Sequence, residues 1–302
     1  MKNLETKKLL LEFKNNLKID YDIKKKNWFN IGGKTKLYFK AENLNELKNF
    51  IKKINNEKKI FILGAGSNTL FTDETYDGVV IKLSKNFNNI SILSEEIVIA
   101  GSAVFDKTLA DFALENNLSG FEFLSCIPGT VGGGIKMNAG CFGHEFKDIL
   151  LSVQAINRNG QVITIPTNRI KFQYRNNDLS NELIFLSASF KGKKSDKKSI
   201  KFLMKKYKDQ KEISQPTKIK TSGSTFKNPI TQTDKKVWEL IKQSIPLNTS
   251  FGDAIISDKH CNFFVNKGNA SFKDMKNLIE FVSNQVFKKT GVKIETEIKI
   301  IE

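Results

Sequence analysis

The chain has 302 residues, 39% of them hydrophobic and 27% charged, a formal net charge of +17, three cysteines and two histidines. That length buries a sizeable core and is long for one small domain, so two or three domains are expected. No stretch approaches the ~18 apolar residues of a membrane-crossing helix, and the opening residues Met1 to Lys8 are charged rather than apolar, which argues against a membrane anchor or an export signal and for the cytoplasm.

Cys126, Cys141 and Cys261 lie far apart with no CxxC pair, and His144 and His260 are scattered, so reduced thiols and no metal site are expected. The positive charge would suit a nucleic-acid partner. The lysines, however, are spread through every segment without the interleaved aromatics of a single-strand platform, which reads as compositional bias and leaves only a mild attraction for anionic small molecules.

In chain order, Leu44, Leu47, Phe50, Ile51 and Ile54 recur at helical spacing behind Asn43, with Glu46 placed to complete a capping box; a helix over 43–54 is predicted. Lys59-Ile-Phe-Ile-Leu63 is a short apolar strand running directly into Gly64-Ala-Gly-Ser-Asn-Thr69, which puts this glycine motif on a loop after a strand. Strands follow at Val79–Leu83 and Ile97–Ala100, then a helix near Val104–Asn116 with Leu109, Phe112 and Ala113 inward. Val153–Ile156 and Val162–Ile165 flank Asn159-Gly160 as a hairpin, because both turn residues tolerate positive φ. The polar run 191–201 marks a solvated stretch or the start of an exposed helix, and a domain boundary is placed there. Beyond it come a loop at Thr221–Pro229, a helix at about 271–289 behind Ser271 and Asp274, and a terminal strand in which Val292, Ile294, Ile298 and Ile300 alternate with charged residues.

Three glycine-rich segments stand out: Ile31-Gly-Gly33, Gly64-Ala-Gly-Ser-Asn-Thr69 and Pro128-Gly-Thr-Val-Gly-Gly-Gly134. Glycine lets backbone N–H groups approach an anion closely, so these loops suit a pyrophosphate, although each alone is an ordinary tight turn. The dinucleotide fingerprint fails at Thr69, where a third glycine is required, and the nucleotide-triphosphate loop fails at Ile135, which replaces its lysine.

Taken together, Leu63-Gly-Ala-Gly-Ser-Asn-Thr-Leu70, Ile127-Pro-Gly-Thr-Val-Gly-Gly133 with Asn138-Ala-Gly140, Tyr174-Arg175, Gly223-Ser-Thr-Phe-Lys-Asn-Pro229 and Glu295-Thr-Glu-Ile-Lys-Ile-Ile301 occur in the order of the UDP-N-acetylenolpyruvoylglucosamine reductases. From about residue 27 onward the chain resembles that family, in the shorter branch that carries Asn-Ala-Gly in its middle motif. The resemblance implies an α+β architecture: a two-subdomain FAD-binding fold of the vanillyl-alcohol-oxidase (PCMH) type plus a C-terminal α+β substrate domain. In this chain the parts would be 1–83, 84–200 and 201–293, with 294–302 returning to the first. It implies FAD as cofactor, with Gly64, Ala65, Gly66, Ser67 and Asn68, and Gly129, Thr130, Gly132 and Gly133, around its pyrophosphate.

The implied reaction is NADPH-dependent reduction of a UDP-linked enolpyruvyl sugar in peptidoglycan precursor synthesis, by a cytoplasmic monomer. Hydride goes to the vinyl carbon, which leaves enolate-like charge that must be stabilised and a carbon that must be protonated. By resemblance Arg175 holds the substrate carboxylate, Ser224 donates the proton and Glu297 polarises the intermediate, while Tyr174, Lys227 and Asn228 meet the substrate. Without the resemblance, Arg175 reads as an ion pair, Ser224 as a turn or cap, and Glu297 as one of two carboxylates, with Glu295, on the polar face of a strand. The alternatives are another FAD-dependent sugar or alcohol oxidoreductase of the same flavin fold and, in a different class, a basic nucleic-acid-binding module. Phe142 and His144 depart from the tyrosine and glycine usual after Asn138-Ala-Gly140.

Overall fold

The computed structural model describes residues 8–54, 58–216 and 219–302. The chain groups into two compact units: one of residues up to Ile19, Lys36–Ala65 and Asp77–Lys211, the other of Asp20–Thr35, Gly66–Tyr76 and Glu212–Glu302.

In the first unit, strands β1 (Leu17–Asp22), β2 (Lys34–Ala41), β3 (Lys59–Ile62) and, beyond β4 (Thr69–Phe71), β5 (Tyr76–Leu83) form a sheet of order β1-β2-β5-β3. Strands β2, β5 and β3 lie in this unit for most of their length, and the edge strand β1 begins in it. Helix α1 (Leu44–Lys53) links β2 to β3, which is parallel to β5 from Lys59 beside Gly78 to Ile62 beside Ile81. Asn43 caps α1 by accepting from the Glu46 N–H at 2.9 Å. Glu46 does not close the predicted capping box. Its carboxylate accepts instead from the Glu42 N–H at 2.8 Å and from the Asn16 amide at 2.5 Å, tying the helix start to the chain before β1. Leu47, Phe50 and Ile51 are buried, with Phe50 stacked on Phe39 at 3.8 Å and Phe13 edge-on to both.

The second layer of this unit is an antiparallel sheet of order β9-β8-β10-β7-β6, built from β6 (Ile90–Ser94), β7 (Ile97–Gly101), β8 (Leu150–Ile156), β9 (Val162–Pro166) and β10 (Ile184–Lys191). Helices α2 (Asp106–Glu115) and α3 (Val131–Met137) share a core with this sheet in which Leu109, Ala113, Ile135, Phe146 and Phe190 are buried. The β8–β9 connection spans 157–161, with Asn157 Oδ1 accepting from the Asn159 and Gln161 N–H groups at 3.0 Å. Only Gly160 there takes positive φ, +74°, so the Asn side chain at 157 does the work expected of Asn159. Polar residues 191–201 lead into α4 (Lys197–Ser214), which buries only Ile200 and Tyr207.

In the second unit, α5 (Val237–Ser244) and α6 (Phe272–Thr290) enclose a core with Phe226, Leu278, Val282 and Val286. Ser271 caps α6 in a full capping box with Asp274, and Gly291 ends it at φ +70°. Strands β11 (Ala254–Ile256) and β12 (Phe264–Asn266) pair antiparallel. The terminal strand β13 (Lys299–Ile301) runs parallel to β4, Lys299 beside Thr69 and Ile301 beside Phe71. It is shorter than its alternating pattern suggests, because residues 295–297 bond the loop at 225–227 rather than a strand: Phe226 and Thr296 form an isolated bridge. Ile294 and Ile298 are nevertheless buried, as the alternation requires.

Among the described residues no helix is long and apolar enough to cross a membrane, and no group of His, Cys, Asp and Glu is placed to hold a metal.

Candidate active site

In the first unit, two glycine loops meet where β3 ends and α3 begins. A Cβ on Gly64 would lie 2.8 Å from Thr130 Oγ1, so only glycine lets these loops approach, and the Gly64 carbonyl accepts from Lys82 Nζ. The loop before α3 is bound by its backbone: the Val131 and Gly132 N–H groups donate to the Val104 and Ser102 carbonyls at 2.9 Å, and the Gly129 carbonyl accepts from Asp106 at 3.1 Å. Among the described residues nothing accepts from the Gly133 N–H. A glycine-lined cradle with an unspent N–H fits an anionic diphosphate, and therefore FAD.

Beneath that loop lies a group the sequence did not flag. Asp106, the first residue of α2, is fully buried; neither carboxylate oxygen has a partner among the described residues. Burial without a partner disfavours the charged form and pushes its pKa well above the usual carboxylate range.

From the cradle, α3 leads to Asn138, which ends the helix in a left-handed conformation at φ +40° and is completely buried. Its amide donates to Glu145 Oε2 at 2.9 Å and to the Gln173 carbonyl at 3.1 Å, while its Oδ1 accepts from the Lys147 N–H at 3.1 Å. Phe172–Gln173 pairs with Asn176–Asn177, which places Tyr174 and Arg175 at the tip of a two-residue hairpin. Asn177 fastens the hairpin to the end of α3 through the Ile135 and Lys136 carbonyls at 2.8 and 3.0 Å. Arg175 sits at φ +56°, donates from Nη2 to the Gly140 carbonyl at 2.7 Å, and lies 4.8 Å from the centre of the Tyr174 ring. The loop that would bind a cofactor and the arginine that would bind a carboxylate thus hang on one short helix.

Nearby, burial pushes the Cys141 thiol up to about 12 and the adjacent Cys126 adds to the effect, so Cys141 is a thiol at neutral pH and no nucleophile.

In the second unit, the loop holding Ser224 is clamped from both sides. Thr225 N–H donates to the Asn262 carbonyl at 2.8 Å, and Asn262 exchanges side-chain bonds with the Phe226 backbone at 3.0 and 2.9 Å. On the other side, the Glu297 and Lys227 N–H groups donate to the Thr225 and Glu295 carbonyls at 2.8 and 2.9 Å. Asn68 reaches the same segment, its amide donating to the Glu297 carbonyl at 3.1 Å and its own carbonyl accepting from the Lys299 N–H at 3.0 Å. The neighbouring Gly66 takes φ +70°, where a Cβ would meet the Lys26 carbonyl at 2.1 Å; nothing described accepts from the Ser67 or Asn68 N–H. Asn68, Glu297 and Thr225, the residue after Ser224, are therefore tied together through their backbones.

Lys227 Nζ faces the carboxylate of the exposed Glu295 at 3.6 Å. Burial first, and then Lys227, lower the pKa of Lys299, while Glu297 opposes them. Asn228 Oδ1 accepts from the Val237 N–H at 3.0 Å, which satisfies an otherwise orphaned donor at the start of α5. Sequence reasoning missed Asn262, whose clamp is made by a residue 36 positions from its partner and carries no local signal.

Residues 35–166 match the model of an FAD binding domain. With the α+β architecture and the glycine cradle, that places the chain among flavin-binding proteins, as read from the sequence. Residues 215–301 match the model of the UDP-N-acetylenolpyruvoylglucosamine reductase C-terminal domain. The chain is 63% identical over 298 residues to the UDP-N-acetylenolpyruvoylglucosamine reductase of Pelagibacter ubique, covering 99% of each, and 42% identical over 288 residues to that of Rickettsia typhi, covering 95% and 96%. The crystal structure of the Thermus caldophilus reductase superposes with a TM-score of 0.81 at 29% identity, over 95% of this chain and 98% of that one. The chain belongs to the UDP-N-acetylenolpyruvoylglucosamine reductase family.

Proposed function

We infer that this chain carries out the reaction of its family, the reduction of UDP-N-acetylenolpyruvoylglucosamine to UDP-N-acetylmuramate with electrons from NADPH. The observation that carries this reading is the 63% identity along 99% of both chains, which spans the flavin-binding and the C-terminal segments together. FAD, when bound, supplies the hydride.

Arg175 holds the substrate carboxylate. Its guanidinium is permanently charged and planar, and it stabilises negative charge that grows as the vinyl carbon is reduced. Ser224 gives its hydroxyl proton to the α carbon, and Glu297 supports that polarisation from the adjoining segment. Gly64, Ala65, Gly66, Ser67, Asn68, Gly129, Thr130, Gly132 and Gly133 hold the FAD pyrophosphate through N–H groups and through the space their missing side chains leave. Tyr174, Lys227 and Asn228 meet the sugar nucleotide. Along its length the chain divides into segments 1–83, 84–200 and 201–293. It works as a cytoplasmic monomer without a nucleic-acid partner, in keeping with lysines spread along the whole sequence rather than gathered in one run.

The test is an absorbance spectrum of the purified protein followed by anaerobic addition of NADPH and then of the enolpyruvyl sugar nucleotide. Flavin bands that bleach with NADPH and return with the sugar nucleotide are expected. Bands that bleach and stay bleached would move the substrate to another sugar or alcohol, and absence of flavin after reconstitution with FAD would overturn the reading.

A further inference from the structure

We propose that Glu145 is a positioning residue for Arg175, orienting its guanidinium toward the substrate carboxylate. The proposal rests on the carboxylate-binding role given to Arg175 above.

Contacts on several sides bear on where the Arg175 side chain lies. Nη2 is anchored on the Gly140 carbonyl at 2.7 Å, the guanidinium carbon lies 4.8 Å from the centre of the Tyr174 ring, and Nη1 faces Glu145 Oε1 at 3.8 Å. The first is a close hydrogen bond. The last is too long for one and acts as charge attraction, which draws that side of the guanidinium fork toward Glu145. Both side chains are mostly buried, 16% and 17% exposed, so solvent screens this attraction less than at a surface pair.

Glu145 is itself held firmly. Oε2 accepts from the buried Asn138 amide at 2.9 Å and pairs with Lys147 Nζ at 2.9 Å, and the Glu145 N–H donates to Asp148 Oδ2 at 2.8 Å. Lys147 registers the pairing, its pKa raised by the bond to Glu145. Asn138 in turn holds the Gln173 carbonyl, two residues before Arg175, so one buried amide sets the distance between the carboxylate and the arginine hairpin.

Backbone strain gathers at the same place. Asn138, Phe142 and Arg175, none of them glycine, all take positive φ, at 40°, 54° and 56°. Such conformations persist where surrounding contacts over-determine them, and they concentrate where a side chain must be aimed. Glu145 supplies two of the determining contacts, to Asn138 and to Arg175.

The test uses the FAD-loaded enzyme and follows the two half-reactions separately by stopped flow in Glu145→Gln, Glu145→Asp, Arg175→Ala and the Glu145→Gln/Arg175→Ala double variant. Glutamine keeps an oxygen for Asn138 and loses the charge, which preserves the fold better than alanine. Glu145→Gln is expected to slow reoxidation of the reduced flavin by UDP-N-acetylenolpyruvoylglucosamine roughly tenfold or more, as a misaimed reacting group does, while slowing flavin reduction by NADPH much less. Glu145→Asp, which keeps the charge, recovers part of the loss, and in the Arg175→Ala background Glu145→Gln causes no further slowing. Additive effects, equal slowing of both half-reactions, or an unchanged reoxidation rate in Glu145→Gln would overturn the proposal. If Arg175→Ala itself reoxidised at the wild-type rate, the role of Arg175 would fall and the proposal with it. Slow Arg175→Ala beside wild-type Glu145→Gln would remove Glu145 alone.

Discussion

Replacing Gly134 by alanine tests whether close packing under the loop proposed to hold FAD is what seats it. A Cβ there would lie 2.2 Å from Phe146 Cε2 and 2.4 Å from Cζ, whereas non-bonded carbons settle at about 3.5–4.0 Å, so the ring must retreat by more than ~1 Å. Phe146 is completely buried, edge-on to Phe123 and Phe190 with ring centres 6.3 and 6.1 Å away, and a close-packed core has no vacancy to receive it. Overpacking of this kind costs about 3 kcal/mol, the upper end of the usual range. The exchange of glycine for alanine within a helix returns about 1 kcal/mol. The net loss of about 2 kcal/mol lowers the melting temperature by about 4–8 °C for a chain of this size class. Because Gly134 lies one residue beyond the loop 129–133, the same displacement weakens FAD binding, by roughly tenfold for every 1.4 kcal/mol of strain relayed to that loop. The assay is thermal unfolding of the apoprotein together with a fluorescence titration by FAD. Phe146→Leu in the Gly134→Ala background should recover part of the stability by removing the ring edge. A Gly134→Ala apoprotein that melts at or above the wild-type temperature would refute the packing argument.

Ser224→Ala should leave reduction of the flavin by NADPH largely intact while slowing its reoxidation by the enolpyruvyl sugar by about 10²–10⁴, the usual worth of a positioned acid; equal slowing of both steps would disprove the proton-donor role. Glu297→Gln should show the same asymmetry and Glu295→Gln should not, since Glu295 is engaged with Lys227; the reverse result would exchange the two carboxylates. At Asp106, burial without a partner outweighs the preference of a helix N-terminus for an anion, and the folded-state pKa is raised. A raised acid contributes stability that is fully present below its unfolded pKa of about 3.9 and is lost as the pH rises through the folded value. Asp106→Asn, neutral throughout, should therefore raise the melting temperature of the apoprotein at neutral pH, with the gain vanishing near pH 4; parallel pH profiles for the two proteins would show that Asp106 is not the group concerned.

Signals confined to a few residues were legible from the sequence because their physics is local. Asn43 and Ser271 mark helix starts because a short polar side chain satisfies a backbone N–H three residues ahead, and both caps are present. The strand at Lys59–Ile62 running into Gly64 follows from an apolar run met by a residue without a side chain. The ordered motifs from Leu63 to Ile301 pointed to a flavin fold and to the family to which the chain belongs. Where local reading failed, a distant partner had displaced the local one. Glu46 left its own capping box for Glu42 and Asn16, and residues 295–297 left the terminal strand for the loop at Phe226.

What only the tertiary structure decided is how the segments carrying the proposed reactive residues are held. Arg175 is anchored on a carbonyl 35 residues away, Phe226 is clamped by Asn262 at a separation of 36, and Asn68 holds Glu297 across 229. No periodicity or propensity encodes such bonds. Their donors and acceptors become neighbours only once the cores around Phe146 and Phe226 have closed, and until then each is satisfied by water. Sequence alone therefore determined the family, and with it which residues are proposed to carry the chemistry and in what order they stand along the chain. The fold determined where each is held and by what, because aiming a side chain takes contacts that a linear pattern does not contain.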